Sequence, residues 1–313
     1  MITLTHIISL FAVFLTIFIY GMTVMRLGLN SASHQKLKKW LLHYTDHTWK
    51  SFLLGIFITA LMQSSSAVMV MVIGLVAAGV MGFKQSIGII LGANIGTTIT
   101  TEIITFQMDQ YILPFILIGV LLIFLNRNWS FSIGSTLFGL GCMFIAMNGF
   151  EMLSEPLTEL NVVQHFLQLT DHHLFISLAL GTTMTAIIQS STATTAIIMP
   201  LMNENLLELT SGIAILLGAN VGTCVTALIA SLGTKKEAKL VAFAHVWINL
   251  IGVVLFLPFL KVFAELVTFL TILPDVQIAH ASVLFNVISS LLLLPCAGLL
   301  ATLITKIHHS RPI

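Results

Sequence analysis

The word Gln63-Ser64-Ser65-Ser66-Ala67 recurs as Gln189-Ser190-Ser191-Thr192-Ala193, and Gly92-Ala93-Asn94-Ile95-Gly96-Thr97-Thr98 recurs as Gly218-Ala219-Asn220-Val221-Gly222-Thr223-Cys224. Both recurrences are displaced by the same 126 positions. A shared displacement without insertion marks one unit used twice. The polar members of these words are hydroxyls and carboxamides, groups that donate to an oxyanion or offer hard, neutral oxygens to a cation. The hydroxyls of Ser64, Ser65, Ser66, Ser190, Ser191 and Thr192 suit phosphate-like oxygens. The oxygens of Gln63, Gln189, Asn94, Asn220, Thr97, Thr98 and Thr223 suit Na+, with Ser65 and Ser191 able to serve both ions. Neither Gln-Ser-Ser word contains Lys or Arg, so co-bound cations must supply much of the compensating charge.

The elements that hold these words lie in a bilayer. Of 313 residues 57% are hydrophobic and 8% charged, which defines an integral membrane protein. Apolar stretches recur at lengths that span ~30 Å of hydrocarbon, without period-2 alternation, so the chain is all-α. The first stretch, about 4–24, lacks a basic leader and a cleavage site and is expected as a retained span. The apolar arms beside the first Gln-Ser-Ser word are about 12 residues long, and ~18 Å of helix is too short to cross. Each word is therefore expected at the mid-depth tip of a re-entrant hairpin, over about 51–83 and about 173–203. Spans at about 87–106 and 211–230 are expected to be broken, the first at Gly92–Thr98. The predicted division is a first repeat at 1–127, a second at 128–260, and an interfacial segment with a C-terminal helix at 261–313.

Charge fixes the sidedness. Between Arg127 and Lys235 there is no Lys or Arg, whereas six of the twelve acids lie there. Placing 26–50, Lys84, Arg127, 235–239 and the C-terminus in the cytoplasm leaves Lys261 as the exception, with the N-terminus outside. An odd number of crossings per unit turns the second copy upside down. The two tips then meet near the midplane, the architecture in which secondary transporters hold their cargo. A helix restarting at each tip presents unpaired N–H groups and a positive dipole end, which favours an anion.

Each signal has a plainer competitor. Serines in a span also bond back to helical carbonyls, and a single cluster would be read as packing; the duplication in register favours function. Gly92-x-x-x-Gly96 and Gly218-x-x-x-Gly222 serve either close helix packing or ligand access. His245 and His280 lie in spans outside the duplicated words and are read as structural polar pairs rather than proton carriers. Glu102 is either a cation ligand or an interfacial residue. Cys142, Cys224 and Cys296 have neither disulfide nor metal-site spacing. No cofactor, transition metal or nucleic-acid partner is expected; the expected partners are ions and lipid.

The doubled Gln-Ser-Ser-(Ser/Thr)-Ala, each followed by Gly-Ala-Asn-x-Gly-Thr, with His245 and Phe285-Asn286 beyond, resembles the type II sodium-dependent phosphate cotransporter family in a compact bacterial form. The resemblance implies Na+/inorganic phosphate symport by alternating access across the cell membrane. Carried over by motif, Gln63, Ser64, Ser65 and Ser66 with Gln189, Ser190, Ser191 and Thr192 would surround phosphate and sodium. Asn94, Thr97, Asn220 and Thr223 would complete ion sites, and a homodimer would be unsurprising. Cys224 departs from the second Thr of the first copy, so a ligand role there passes to Thr223 or is lost. The chain as given ends at Ile313, with no soluble C-terminal regulatory domain expected.

Other classes compete. A dicarboxylate or amino-acid carrier also uses serine hairpins, but the Asn-Met-Asp-Gly-Thr-like word and second-carboxylate Arg are missing. A phosphate exporter would share the whole site. An intramembrane serine hydrolase lacks a Gly-x-Ser-x-Gly elbow, and a passive anion channel needs no opposed pair of gates. Nucleotide-driven transport lacks Gly-x-x-x-x-Gly-Lys.

Overall fold

A computed structural model describes residues 4–31, 40, 47–106, 108–125 and 127–309. Among the described residues every regular element is helical: α1 (Leu4–Ser31), α2 (Thr48–Met62), α3 (Ser65–Ala77), α4 (Phe83–Ile103), α5 (Ile112–Ile123), α6 (Asn128–Thr158), α7 (Asn161–His172), α8 (Leu174–Ile188), α9 (Ser191–Asn203), α10 (Leu209–Gly222), α11 (Cys224–Ser231), α12 (Lys236–Phe256), α13 (Leu260–Leu270), α14 (Pro274–Leu293) and α15 (Ala297–His309). Among the described residues five stretches are long and apolar enough to cross a membrane: Leu4–Ser31, Asn128–Thr158, Leu209–Ser231, Lys236–Leu270 and Pro274–Leu293. The chain is a multi-pass membrane protein. Helices α2 and α8 begin and end 126 positions apart, and so do α3 and α9.

Both Gln-Ser-Ser words break a helix in the same way. Gln63 ends α2 at φ 50°, ψ 30°, and Gln189 ends α8 at φ 59°, ψ 27°. Left-handed backbone costs a non-glycine residue about 1 kcal/mol, so the turn must be held from outside. The following serine is extended and restarts the helix as its N-cap: Ser64 Oγ accepts from Ala67 N and Ser190 Oγ from Ala193 N, each at 3.2 Å.

Glycines lock α4 onto α2. A Cβ on Gly88 would strike Thr48 and Phe52, and one on Gly96 would lie 2.5 Å from the Ile56 carbonyl. Contacts that advance together along both helices make them parallel, so the short α3 carries the chain back between them. The arrangement recurs 126 positions later, where a Cβ on Gly222 would lie 2.5 Å from the Thr182 carbonyl between α10 and α8. In contrast, α1 and α6 pack antiparallel, Gly21 meeting Cys142 while Gly28 meets Ser132 and Thr136. Two apolar cores result. One seats the first tip among α2, α3, α4, α11, α12 and α15, and the other seats the second among α1, α6, α9, α10, α13 and α14.

Several expectations are corrected. Helix α4 runs unbroken through Gly92–Thr98, because its glycines accommodate α2 rather than unwind the chain. In the second copy only Thr223 separates α10 from α11, and its backbone stays helical at φ −61°, ψ −23°. The C-terminal helix expected within 261–313 is divided at Leu294-Pro295-Cys296 into α14 and α15. Helix α6 runs on to Thr158, carrying Glu151 and Glu155, and α7 follows it. Helix α13 buries Leu260, Phe263, Ala264 and Val267 on one face, which leaves the expectation of an interfacial segment there untested. Most of the segment 26–50 placed in the cytoplasm, with Lys36, Lys38 and Lys39, lies outside the described residues, as does Arg311.

Candidate functional site

The two tips converge. One cavity is lined by Ser64, Ser65 and Ser66 of the first tip, Gln189, Ser190, Ser191 and Thr192 of the second, Thr97, Thr223, and Arg26 of α1. A second cavity adjoins it through Ser65, Ser191, Thr97 and Thr223, and adds Asn94, Thr98, Asn220, Ser282 and Asn286, with Thr101, Thr195 and Leu216. The first cavity therefore holds both helix restarts and a guanidinium. The N–H groups of the first helical turn have no acceptor within the helix, and only those of Ala67 and Ala193 are taken by the caps. The second cavity is walled by carboxamides and hydroxyls with no formal charge. Its character is that of neutral oxygen ligands.

Polar bonds hold the wall between the halves in register. Asn94 Nδ2 donates to Asn249 Oδ1 at 2.6 Å, and Asn249 Nδ2 donates to the Asn220 carbonyl at 2.8 Å and to Cys224 Sγ at 3.2 Å. Asn249, from α12, thus ties one Gly-Ala-Asn word to the other. Thr97 and Thr223 donate to the Ala93 and Asn220 carbonyls at 2.9 and 2.6 Å, leaving their oxygen lone pairs for a ligand. Asn286 Nδ2 donates to the Ser282 carbonyl at 2.8 Å, while its buried Oδ1 has no partner.

One expected ligand is placed elsewhere. Gln63 is buried away from both cavities: its Nε2 donates to the Ala60 carbonyl, its Oε1 accepts from Thr100 Oγ1, and its own carbonyl accepts from Arg26 Nε at 2.7 Å. The left-handed turn that puts Gln63 at the break points its side chain back along α2 and α4. Gln189 is exposed and lines the first cavity. The intramembrane histidines also diverge. His280 Nδ1 sits 3.0 Å from Glu102 Oε1 beside an apolar groove, which makes Glu102 part of a half-buried pair and not a cavity ligand. His245 is buried in α12 with Nδ1 unpartnered, so the satisfied pair expected there is not formed.

The residues that sequence reasoning missed are Arg26, Asn249 as a bridge, Ser282 and Asn286. Arg26 sits near the end of an otherwise apolar span, where it reads as a loop charge. Asn249 lies outside the duplicated words, and only its place deep in an apolar helix could have signalled it, whereas Asn286 belongs to the Phe285-Asn286 element of the resemblance but was given no ligand role.

Two helix restarts beside a guanidinium thus adjoin a pocket of neutral oxygens inside a bundle of membrane helices. Comparison of the sequence narrows the class. The family described as Na+/Pi-cotransporter matches residues 17–152 and again 148–274. The chain belongs to this family. It is 42% identical to YqeW of Bacillus subtilis, a protein without an assigned role, over 94% of this chain and 96% of that one. It is 26% identical over its whole length to YjbB of Salmonella typhimurium, provisionally named an inorganic phosphate export protein, but covers 57% of that longer protein. A segment of 85 residues is 35% identical to the sodium-dependent phosphate transport protein 2C of Mus musculus, covering 26% of this chain and 14% of that one. No solved structure matches.

Proposed function

We propose that the chain is a sodium-coupled phosphate symporter that works by alternating access. Phosphate occupies the cavity formed by Ser64, Ser65, Ser66, Ser190, Ser191 and Thr192. Sodium occupies the adjoining one, with oxygens from Asn94, Thr97, Thr98, Asn220 and Thr223 and the unpartnered Oδ1 of Asn286. The observation that carries this reading is the meeting of both helix restarts in one cavity that opens onto a neutral oxygen pocket. The shared wall of Ser65, Ser191, Thr97 and Thr223 supplies the coupling: an anion seated against helix N–H groups lowers the cost of a cation a few ångströms away, and the cation does the same in return.

The helix–break–helix units are re-entrant hairpins of two inverted repeats. The parallel pairs α2/α4 and α8/α10 support this, as does the antiparallel packing of α1 with α6, which occupy equivalent positions 126 residues apart. The ion gradients, not the site, set the direction of flux, so the same geometry serves uptake or export.

Uptake of radiolabelled phosphate into proteoliposomes tests the reading. Accumulation under an imposed Na+ gradient but not a K+ gradient, competed by arsenate and not by sulfate, is the expected result. Phosphate flux indifferent to Na+ would identify a channel. No phosphate flux with intact protein would redirect the search to carboxylates.

A further inference from the structure

The strongest charge at the tips comes from outside the duplicated words. Arg26 lies on α1, lines the same cavity as both helix restarts, and has no carboxylate partner among the described residues. An unpaired guanidinium inside a membrane protein is costly unless something compensates it. Among the described residues its one bond is from Nε to the Gln63 carbonyl at 2.7 Å, at the left-handed turn that begins the break. That bond fixes the base of the planar fork and leaves four terminal N–H donors uncommitted. The equivalent position in the second half is Met152 on α6, which is exposed. Among the described residues the cavity therefore has two restarts but one cationic side chain, and Arg26 breaks the symmetry.

We propose that Arg26 is the fixed positive charge of the anion site and sets its affinity and its preference for tetrahedral oxyanions. The inference rests on the carrier reading above. One guanidinium with two helix restarts matches an anion with several oxygens, because the fork donates two parallel bonds where an ammonium donates from a point. The Gln63 carbonyl acts as a hinge pin: it orients the fork toward the oxygens that the Ser65 and Ser191 turns meet from the other sides.

The test uses the full chain in proteoliposomes, with Na+-driven phosphate uptake by the wild type read first. Absence of wild-type uptake would sink the carrier reading and the Arg26 inference together. With wild-type uptake present, Arg26→Lys is expected to raise the phosphate KM about tenfold with kcat nearly held, and Arg26→Met about a hundredfold, as loss of a charge-assisted bidentate contact implies. Guanidinium added to Arg26→Ala should restore part of the uptake, which a purely structural role would not allow. An unchanged KM in Arg26→Lys overturns the proposal and leaves the carrier intact. Should the variants not fold, the wild type itself answers through a dicarbonyl reagent and peptide mass spectrometry on its three arginines, Arg26, Arg127 and Arg311. Phosphate with Na+ should protect Arg26 and spare the modification of Arg127. Equal reactivity of Arg26 with and without phosphate, or none in either state, overturns the assignment.

Discussion

Gln63 and Gln189 end equivalent helices at nearly the same left-handed backbone angles, and the serines after them cap equivalent restarts at the same 3.2 Å. Their side chains do different things. Gln63 is 4% exposed and latched to Thr100, whereas Gln189 is exposed at the cavity and the residue equivalent to Thr100, Thr226, has a buried hydroxyl with no partner. One half is closed around its glutamine and the other is open. Duplication gives both halves the same frame and so the same two options. A carrier that alternates needs each half to take, in turn, the arrangement the other shows.

The shared frame offers the largest effect. Gly96→Val and Gly222→Val each push a branched side chain into a helix carbonyl 2.5 Å from the first added carbon, with no flexible neighbour to yield. Both should cost several kcal/mol and abolish monodisperse protein in detergent. A well-behaved Gly222→Val beside a collapsed Gly96→Val would show that the second half is not held as the first is.

The latch comes next. Thr100→Val leaves the buried Gln63 Oε1 without its donor and should destabilise by about 1–3 kcal/mol, lowering the melting temperature. Gln189→Ala, at an exposed position, should leave melting within about 0.5 kcal/mol of wild type while reducing Na+-driven phosphate uptake at least tenfold. Equal uptake loss without a difference in melting would erase the distinction between the halves.

The caps give a matched pair of smaller effects. Ser64→Ala and Ser190→Ala each remove one bond to the N–H of the third residue onward, worth about 1 kcal/mol. Thermal melts should shift alike. Unequal shifts would mean that the cavity, not the cap, sets the stability of a restart.

How far these features could be read from the sequence depends on whether they were local. The helix class and the two breaks follow from composition and a doubled word written in consecutive residues, and the meeting of Ser65 with Ser191 from the loop charges and the odd number of crossings that invert the second copy. The glycines were legible as small-x-x-x-small spacing, but spacing alone does not say whether a neighbour or a gap lies opposite. The presence of α2 against Gly92 and Gly96 decides it, and so α4 stays whole. Arg26 and Asn249 escaped because their roles depend on which helix end lies beside the tips, a matter of tertiary contact over 37 and 155 positions of chain. The differing fates of Gln63 and Gln189 could not be read at all, since words that differ only at Ser66 and Thr192 hold both.

Thr226→Val is the smallest change and the most discriminating. Its hydroxyl is buried and unpaired in the conformation seen, so replacing it by an isosteric methyl should leave the melting temperature unchanged or raise it slightly, by up to about 1 kcal/mol. If Thr226 is held in reserve to receive Gln189 when the halves exchange, the same change removes a bond from the other conformation only. The equilibrium then shifts toward the present one, and a bias of about 1.4 kcal/mol is a tenfold change in population. Phosphate turnover should fall severalfold with KM for phosphate and Na+ little altered, because no ligand is touched. Thr100→Val should shift the population the opposite way, and the double variant should recover part of the lost turnover by levelling the two states. Turnover in Thr226→Val equal to wild type would show that the unpaired hydroxyl is only a packing residue, and that the open and closed glutamines do not trade places during the cycle.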